Sequence, residues 1–314
     1  MKTNILIVDD IHEIMLEKFA QAGIAYDYRP DIDRAETEKI IANYSGMVIR
    51  SKFQVDKPLF DFASNLHFIA RAGAGMDNID DEIAIQKQVT LIPANEGNRD
   101  AVGEHMIGML LSLMNNLNRS DQQVRAGQWL REANRGYELK DRTVGLIGYG
   151  HNGMAMAKKL SGFDVKVLAY DKYRTNYTDE YAEEASMENI YEQADIISFH
   201  IPLTAETKGM IDDAYLSKFN KPIFFLLGAR GEIVQVPAVL NGLDKGRILG
   251  AAFDVLPVEK FPKLGEQTWY PDLITRDNVI LSPHVAGWTF ESYYKLSEVA
   301  ADKIIAFLKQ QGKY

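Results

Sequence analysis

Short apolar runs rich in β-branched residues alternate with amphipathic helical patterns along almost the whole chain. The runs carry no polar alternation, which is typical of parallel strands buried on both faces. In the first helical pattern, for example, Met15, Leu16 and Phe19 fall on one face. This alternation predicts parallel sheets covered by helices on both sides. The runs expected to form strands are Ile5–Val8, Met47–Ile49, Phe68–Ala70, Val89–Ile92, Thr143–Ile147, Val165–Tyr170, Ile196–Phe199, Ile223–Leu227, Ile248–Phe253 and Val279–Leu281.

A long helical pattern from about Arg99 to Arg131 interrupts this rhythm. Its apolar residues recur at spacings of three and four from Val102 to Leu117, which favours one continuous helix. It separates a first series of about five strands from a second series of about six. A last helical pattern, Thr289 to Gln310, follows the final strand, so the first domain would be built from both chain ends if that helix packs back onto it.

Composition excludes several classes of protein. The chain has no cysteine, which excludes disulfides, thiolate metal sites and a cysteine nucleophile. The formal net charge of −9 argues against a sequence-independent nucleic-acid binder. The apolar run Ile5–Val8 is too short for a signal peptide, and the stretch Met106–Met114 is far below the ~20 residues needed to span a bilayer. We therefore expect a soluble cytoplasmic protein with no metal ion and no nucleic-acid or membrane partner.

The second series opens on a glycine-rich turn. An apolar strand, Thr143–Ile147, leads directly into Gly148-x-Gly150-x-x-Gly153 and then into a helical pattern. Gly148 permits a tight turn, Gly150 lets a pyrophosphate approach the backbone, and Gly153 lets helix and strand pack closely. This order of elements predicts a dinucleotide site, with a vestigial glycine-rich turn as the alternative.

Two further features fit a dinucleotide at this turn. The backbone N–H groups of His151 and Asn152 would face the phosphates at a helix N-terminus. Asp171 follows the next strand, 18 residues after Gly153, where its carboxylate can accept hydrogen bonds from ribose hydroxyls. That carboxylate would repel a 2′-phosphate and favour NAD over NADP, although Lys172 and Arg174 lie close enough to weaken the preference.

Several segments, in the same order along the chain, resemble the D-isomer-specific 2-hydroxyacid dehydrogenases. The resemblance implies two Rossmann-like, doubly wound parallel-sheet domains with a cleft between them. The substrate-binding domain would be residues 1–98 plus 288–314, and the NAD-binding domain residues 99–287. Relatives dimerise through the helix near Met106–Leu117, whose apolar face we expect to exceed one domain's core, so a homodimer is implied. The segments are Arg71–Asp80, Glu104–His105, Gly148–Gly153, Ala194–Thr207, Ala229–Gly231, Gly250–Val255 and Asn278–Gly287.

The family's catalytic trio maps onto Arg230, Glu259 and His284. In the reduction of a 2-keto acid, a guanidinium can hold the carboxylate and polarise the carbonyl. An imidazolium can deliver the proton, and a neighbouring carboxylate orients it and raises its pKa. The alternatives are a surface ion pair for Arg230, a loop histidine for His284 and a solvated charge for Glu259.

The remaining site residues are also implied by the resemblance. Asp254 matches the residue that holds the nicotinamide carboxamide. Three positions depart from the family pattern: Leu227 replaces Asn, Gln235 replaces Asp, and Lys260 follows the catalytic Glu in place of Pro. These departures put loop geometry and the level of activity in question. The positions expected to line the cofactor are Gly148, Gly150, His151, Asn152, Gly153, Asp171, Ile201, Gly228, Ala229, Arg230, Asp254, His284 and Gly287.

Substrate identity depends on the first domain. The N–H groups of the loop Gly73, Ala74 and Gly75 are expected to hold the substrate carboxylate. The segments around Arg50–Ser51 and Arg71 resemble members of the family that act on 3-phosphoglycerate in serine biosynthesis, so both arginines could bind a phosphate. Alternatively Arg50 pairs with an acid such as Asp56. A glyoxylate or hydroxypyruvate reductase is the main enzymatic alternative, and an NAD-binding corepressor or an inactive paralogue remains open.

Overall fold

The computed structural model describes residues 4–312, which divide into two compact units. One unit contains residues 4–98 and 288–312, and the other contains residues 99–287. Residues 1–3 and 313–314, which the sequence assigns to the substrate-binding domain, lie outside the described residues.

The first unit is built on five parallel strands in the order β2-β1-β3-β4-β5. Because most of these strands are short and apolar, helices must cover both faces of the sheet. The strands are β1 (Asn4–Ile7), β2 (Ala25–Tyr28), β3 (Gly46–Ile49), β4 (Phe68–Arg71) and β5 (Thr90–Pro93); the helices are α1 (Ile14–Gln21), α2 (Arg34–Ile40), α3 (Lys57–Phe62) and α4 (Asp81–Gln86), and the C-terminal helix (Phe290–Gln310) is α12.

Helix α12 completes the first unit from the far end of the chain. Thr289 caps it, accepting a hydrogen bond from Ser292 N. Its residues Leu296, Ala300 and Ile304 are buried with β1, β3 and β4 on the same face of the sheet as α1. The opposite face is covered by α2, α3 and α4.

The second unit is built on seven parallel strands in the order β12-β11-β10-β9-β6-β7-β8. Helices α5 and α7 cover one face, and α8, α9, α10 and α11 cover the other. The predicted fold class, two doubly wound α/β sheets, is confirmed. The strands are β6 (Thr143–Ile147), β7 (Lys166–Tyr170), β8 (Glu183–Glu184), β9 (Ile196–Phe199), β10 (Ile223–Leu227), β11 (Ile248–Phe253) and β12 (Val279–Leu281); the helices are α5 (Arg99–Met114), α6 (Leu117–Arg125), α7 (His151–Leu160), α8 (Met187–Gln193), α9 (Asp213–Leu216), α10 (Val236–Asp244) and α11 (Tyr270–Ile274).

Strand order decides which loops meet. The chain reverses direction across the sheet between β6 and β9, and the carboxyl ends of parallel strands share one edge. The glycine-rich turn after β6 therefore lies beside the residues that follow β7 and β9. The loops after β10, β11 and β12 lie side by side at the same edge.

The single long helix predicted across residues 99–131 is wrong. Asn116 adopts a left-handed conformation with φ 53°, so the pattern is divided into α5 and α6. The expected exposed apolar stripe is wrong as well, because Val102, Met106 and Leu113 are buried against α7 and the sheet. A helix that is apolar around most of its circumference belongs in a core.

Two strands lack an apolar signal in the sequence. β2 has the sequence AYDY and is half-buried at the edge of its sheet, and β8 consists of two exposed glutamates. Edge strands need not bury both faces, so they need no continuous apolar run. Within residues 4–312, no helix combines the length and the apolar character required to cross a membrane.

Candidate active site

The glycine-rich turn has the shape that a pyrophosphate requires. Gly148 has φ 95°, and a Cβ there would lie 2.7 Å from His200 O. A Cβ on Gly153 would collide with Gly148 O, so only glycine allows α7 to approach the turn this closely. At Gly150, in contrast, a Cβ would meet nothing within 4 Å, so the backbone is open at the N-terminus of α7. The first turn of α7, which includes His151 and Asn152, presents its backbone N–H groups at the N-terminal end of the helix, where an anion is favoured.

Asp171 lies at the end of β7, beside this turn. Its Oδ2 accepts a hydrogen bond from Tyr149 N and its Oδ1 accepts one from Tyr173 N, both at 2.9 Å. A carboxylate can accept about four hydrogen bonds, so two sites remain for ribose hydroxyls. The two nearby cations are both bonded within this unit: Lys172 pairs with Glu206, and Arg174 donates to Tyr149 O. The residues present therefore fit a dinucleotide with a free 2′-hydroxyl.

The predicted catalytic trio comes from three adjacent strands. Arg230 lies three residues beyond β10, Glu259 lies on the loop after β11, and His284 lies three residues beyond β12. Because β10, β11 and β12 pair in that order, these side chains reach the same edge of the sheet. Arg230 has an extended backbone and donates from Nη1 to Ala229 O at 2.7 Å.

Glu259 and His284 form a direct pair. Both carboxylate oxygens lie 3.0 Å from His284 Nδ1. The carboxylate can only accept, so Nδ1 carries the proton and Nε2 is left to exchange protons with another molecule. This hydrogen bond raises the pKa of His284 above its ordinary value of 6.5; burial opposes the shift, the charge of Asp254 adds to it, and the Arg230 guanidinium opposes it.

The backbone at His284 is unusual. Its φ is 56°, a left-handed conformation that costs a non-glycine residue about 1–2 kcal/mol. The His284 N–H donates to Asp254 O at 2.7 Å and to Ser282 O at 3.1 Å, which holds this conformation. Strained residues of this kind concentrate at functional sites.

Asp254, which the resemblance implies for the nicotinamide carboxamide, has a buried and hydrogen-bonded side chain. It is 2% exposed, and its side chain accepts hydrogen bonds from Ser282 Oγ at 2.6 Å, Val285 N at 2.9 Å and Ala286 N at 3.0 Å. His105 Nε2 lies 2.9 Å from Ser282 Oγ. Ser282 is not among the site residues predicted from the sequence, and His105 has no predicted role. Their only sequence signal is that each lies within a segment that resembles the family.

The other residues expected to line the cofactor are at the same edge. Ile201 follows β9, and Gly228 and Ala229 follow β10, while Gly287 ends the second unit. The neighbouring His200 is bonded to Ser198 Oγ at 3.0 Å, and burial lowers its pKa to about 4, so it is neutral. Two of the three departures from the family pattern are accommodated by the fold: Leu227 is fully buried in β10, and Gln235 donates to Gly209 O at 3.1 Å.

In the first unit, Arg50 and Ser51 follow β3 and are held by Asp9. One carboxylate oxygen, Asp9 Oδ2, accepts hydrogen bonds from the N–H groups of Arg50, Ser51 and Lys52 at 2.9, 2.9 and 3.0 Å. The predicted alternative that Arg50 pairs with Asp56 is wrong, because Asp56 pairs with Arg34 at 2.5 Å. The acid beside Arg50 accepts from backbone N–H groups instead.

The Arg50 guanidinium packs against two aromatic rings. Its central carbon lies 4.4 Å from the centre of the Trp288 ring and 5.2 Å from that of Tyr293, and Nη1 donates to Asp10 O at 3.0 Å. Neither ring was predictable as a partner of Arg50, since both lie more than 230 residues from it along the chain.

Arg71, at the end of β4, contacts backbone rather than open space. Its Nε donates to Arg50 O at 2.7 Å, and its Nη1 donates to Gly75 O. The predicted carboxylate loop, Gly73, Ala74 and Gly75, is therefore fastened to the loop that carries Arg50.

Comparisons with known proteins agree with this geometry. The model of the D-isomer specific 2-hydroxyacid dehydrogenase NAD binding domain matches residues 107–286, more than half of the chain. A glyoxylate reductase of Thermofilum pendens is 35% identical over 263 residues, 82% of this chain and 76% of the relative. A D-3-phosphoglycerate dehydrogenase of Archaeoglobus fulgidus is 30% identical over 310 residues; these are 97% of this chain but only 57% of the relative.

A solved structure has the same fold over the full described length. A glyoxylate reductase from Paecilomyes thermophila matches with a TM-score of 0.86 over 99% of this chain and 96% of that chain, at 18% identity. The strand order, the glycine-rich turn and the family match lead to one assignment. The chain belongs to the D-isomer specific 2-hydroxyacid dehydrogenases, a family of oxidoreductases, and carries that family's NAD-binding domain.

Proposed function

We propose that this protein transfers a hydride between NAD and C2 of a small 2-hydroxy acid, with Arg230, Glu259 and His284 as its catalytic side chains. The observation that carries the proposal is the Glu259–His284 pair, whose shared proton lies on Nδ1 and whose Nε2 is available. Arg230, at the end of a neighbouring strand, supplies the positive charge that a carboxylate requires.

Each side chain has a separate task in the reduction of the keto acid. The Arg230 guanidinium holds the substrate carboxylate and polarises the C2 carbonyl. His284 Nε2 donates its proton to the carbonyl oxygen as negative charge develops there. Glu259 keeps Nδ1 protonated and stabilises the imidazolium. When bound, NADH supplies the hydride.

Removing the imidazole should abolish most activity. We expect His284→Ala and Arg230→Ala to lower kcat for keto-acid reduction by about 10²–10⁴-fold. Steady-state assays with NADH and a panel of 2-keto acids measure this, with exposed Glu266→Gln as a matched control. Turnover near the wild-type value in folded His284→Ala would contradict the proposed acid, and no turnover by the wild type would favour a corepressor or inactive paralogue.

The role of Glu259 is tested by the pH profile of the same reaction. Reduction needs the imidazolium, so its rate falls as pH rises through the pKa of His284, which lies above 6.5. Glu259→Gln removes the largest cause of the raised pKa, so this alkaline limb should move to lower pH. An unmoved limb would show that Glu259 does not act through His284.

Cofactor preference depends on Asp171. With Lys172 and Arg174 both bonded within the unit, we expect NADH to be strongly preferred over NADPH. Asp171→Ala should narrow the ratio of kcat/KM between the two, whereas the exposed neighbour Glu180→Ala should leave it unchanged. A wild-type preference for NADPH would overturn this assignment.

For the substrate, we propose 3-phosphohydroxypyruvate, with Arg50 as the phosphate ligand. The Arg50 guanidinium donates one hydrogen bond within residues 4–312, to Asp10 O, and the rings of Trp288 and Tyr293 pack against it. A fixed guanidinium can donate paired hydrogen bonds to a phosphate. We propose that Arg71 does not bind the phosphate but shapes the loop Gly73–Gly75. The N–H groups of that loop would hold the substrate carboxylate.

A second candidate, reduction of glyoxylate or hydroxypyruvate, is favoured by one finding. The glyoxylate reductase from T. pendens is 35% identical to this chain, whereas the phosphoglycerate dehydrogenase from A. fulgidus is 30% identical. Neither unphosphorylated acid needs Arg50.

One pair of variants separates the two substrates. Loss of a charge-assisted phosphate contact should raise KM for 3-phosphohydroxypyruvate by about tenfold or more in Arg50→Ala, while KM for hydroxypyruvate stays unchanged. Lys52→Ala, an exposed cation on the same loop, is the control. Equal effects on both acids, or a wild-type preference for the unphosphorylated one, would favour the second candidate.

We also propose a homodimer, now on a different surface from the predicted stripe. Leu117 and Val124 project from α6 with more than half of each side chain exposed, and Trp129 is 78% exposed. Arg119 donates to Asn134 Oδ1, which holds residues 130–135 against α6. Exposed apolar side chains such as those of Leu117, Val124 and Trp129 are typical of interfaces, and we propose that they form the dimer contact.

Light scattering after size exclusion tests the dimer. We expect twice the mass of one chain at micromolar concentration, and half of that mass for a Trp129→Ser variant. Ile85→Ser, which removes a similarly exposed apolar side chain from the first unit, should remain dimeric. A monomeric wild type would contradict the proposal.

A further inference from the structure

Tyr149, the residue between the first two glycines of the turn, has a fully buried side chain. Its hydroxyl lies 2.9 Å from both carboxylate oxygens of Asp179, an exposed residue of the segment that connects β7 to β8 (residues 171–182). A carboxylate can only accept, so the hydroxyl donates. Burial and the hydrogen bond to Asp179 raise the pKa of Tyr149, which keeps its phenol protonated as this donor. A side chain that the glycine pattern leaves unspecified thus joins the turn to the segment 171–182.

The backbone of Tyr149 is bonded to the same segment through both of its polar groups. Its N–H donates to Asp171 Oδ2 at 2.9 Å, and its carbonyl oxygen accepts a hydrogen bond from Arg174 Nη1. The N–H, the carbonyl and the hydroxyl of one residue therefore each hold a different residue of the segment. Two of those residues are the acid expected at the ribose and the one arginine of the segment.

A second tyrosine fixes the backbone of Asp171. The Tyr177 hydroxyl accepts a hydrogen bond from Asp171 N at 2.8 Å and donates one to Ala169 O at 3.0 Å. The buried Tyr177 ring lies 5.5 Å from the Tyr149 ring, centre to centre, and 5.6 Å from the central carbon of the Arg174 guanidinium. The segment is therefore packed on the turn as well as bonded to it, and Asp171 is held at its N–H and at both carboxylate oxygens.

We propose that Tyr149 is a positioning residue that selects NAD over NADP, because it keeps Asp171 at the ribose and Arg174 on the turn. The proposal rests on the preference for NADH expected above. A 2′-phosphate is accepted only if the acid turns away or if a cation comes to meet the phosphate. Asp171 is held against the first change and Arg174 against the second. Lys172, the other cation of the segment, is paired with Glu206.

Equilibrium binding of NADH and of NADPH, followed by the fluorescence of the bound nicotinamide, tests the proposal without turnover. Tyr149→Phe keeps the buried ring but removes the hydrogen bond to Asp179, so the segment is released and Arg174 can reach a 2′-phosphate. We expect the ratio of Kd for NADPH to Kd for NADH to fall about tenfold, the effect of one hydrogen bond to a charged group.

Asp179→Ala removes the other partner of the same bond, at an exposed position, and should lower the ratio at least as much. Tyr181→Phe and Glu180→Ala are the matched controls. Each removes the same kind of group from the same segment, but the Tyr181 hydroxyl and the Glu180 carboxylate bond to each other, so the ratio should stay unchanged. In an Arg174→Ala background, Tyr149→Phe should have no effect on the ratio, since the released cation is gone.

An unchanged ratio in folded Tyr149→Phe and Asp179→Ala would overturn the proposal, as would a fall that persists in the Arg174→Ala background. If Tyr149→Phe does not fold, Asp179→Ala decides in the same way. A wild type that binds NADPH more tightly than NADH would instead contradict the role of Asp171 in the proposed function. The two failures are therefore distinguishable, because this proposal fails in the variants while the wild type still prefers NADH.

Discussion

One hydrogen-bonding arrangement recurs at the cofactor turn, at the loop of Arg50 and at the loop of His284. In each case a carboxylate lies just beyond the end of a parallel strand and accepts hydrogen bonds from the backbone of the loop after the neighbouring strand. Asp9 follows β1 and accepts from the loop after β3, and Asp171 follows β7 and accepts from the turn after β6. Asp254 follows β11 and accepts from the loop after β12. Since parallel strands end at one edge, an acid on one strand is well placed to satisfy N–H groups that the next strand leaves unpaired.

These carboxylate–backbone hydrogen bonds explain how short loops can hold a defined conformation. Holding the turn at Tyr149, the loop of Arg50 and the strained backbone of His284 each in one conformation costs conformational entropy. Hydrogen bonds to an ionised acceptor are among the stronger ones, and they act here on backbone rather than on mobile side chains. The side chains that we propose to bind cofactor and substrate therefore extend from backbone that is already fixed.

Most strands of the two sheets could be predicted from the sequence, since strands buried on both faces need continuous apolar runs. The glycine-rich turn was predictable because the order strand, turn, helix and acid constrains the backbone at every step. The break at Asn116 was not, because asparagine tolerates both helical and left-handed conformations and only packing selects between them. The two-residue strand β8 carries no apolar signal at all.

The supporting residues of the site escaped prediction for a different reason. Ser282 and His105 lie 177 residues apart, and each is an ordinary polar residue in its local sequence. Their contact depends on where α5 packs against the sheet, and only the fold determines that position. The same holds for Arg50 and Trp288, which approach each other because α12 returns to the first unit.

The carboxylates also bear on how a chain of net charge −9 could attract an anionic substrate. Long-range charge would repel a keto acid, so local groups must dominate. Asp254 is buried with its oxygens bonded inward, and both oxygens of Asp171 accept from backbone, so part of the negative charge at this edge is already compensated. Arg230 and the first N–H groups of α7 contribute positive potential there. The hydrogen bonds by which these acids shape the loops thus also reduce how strongly the acids oppose an anion, so local groups rather than the global charge govern binding here.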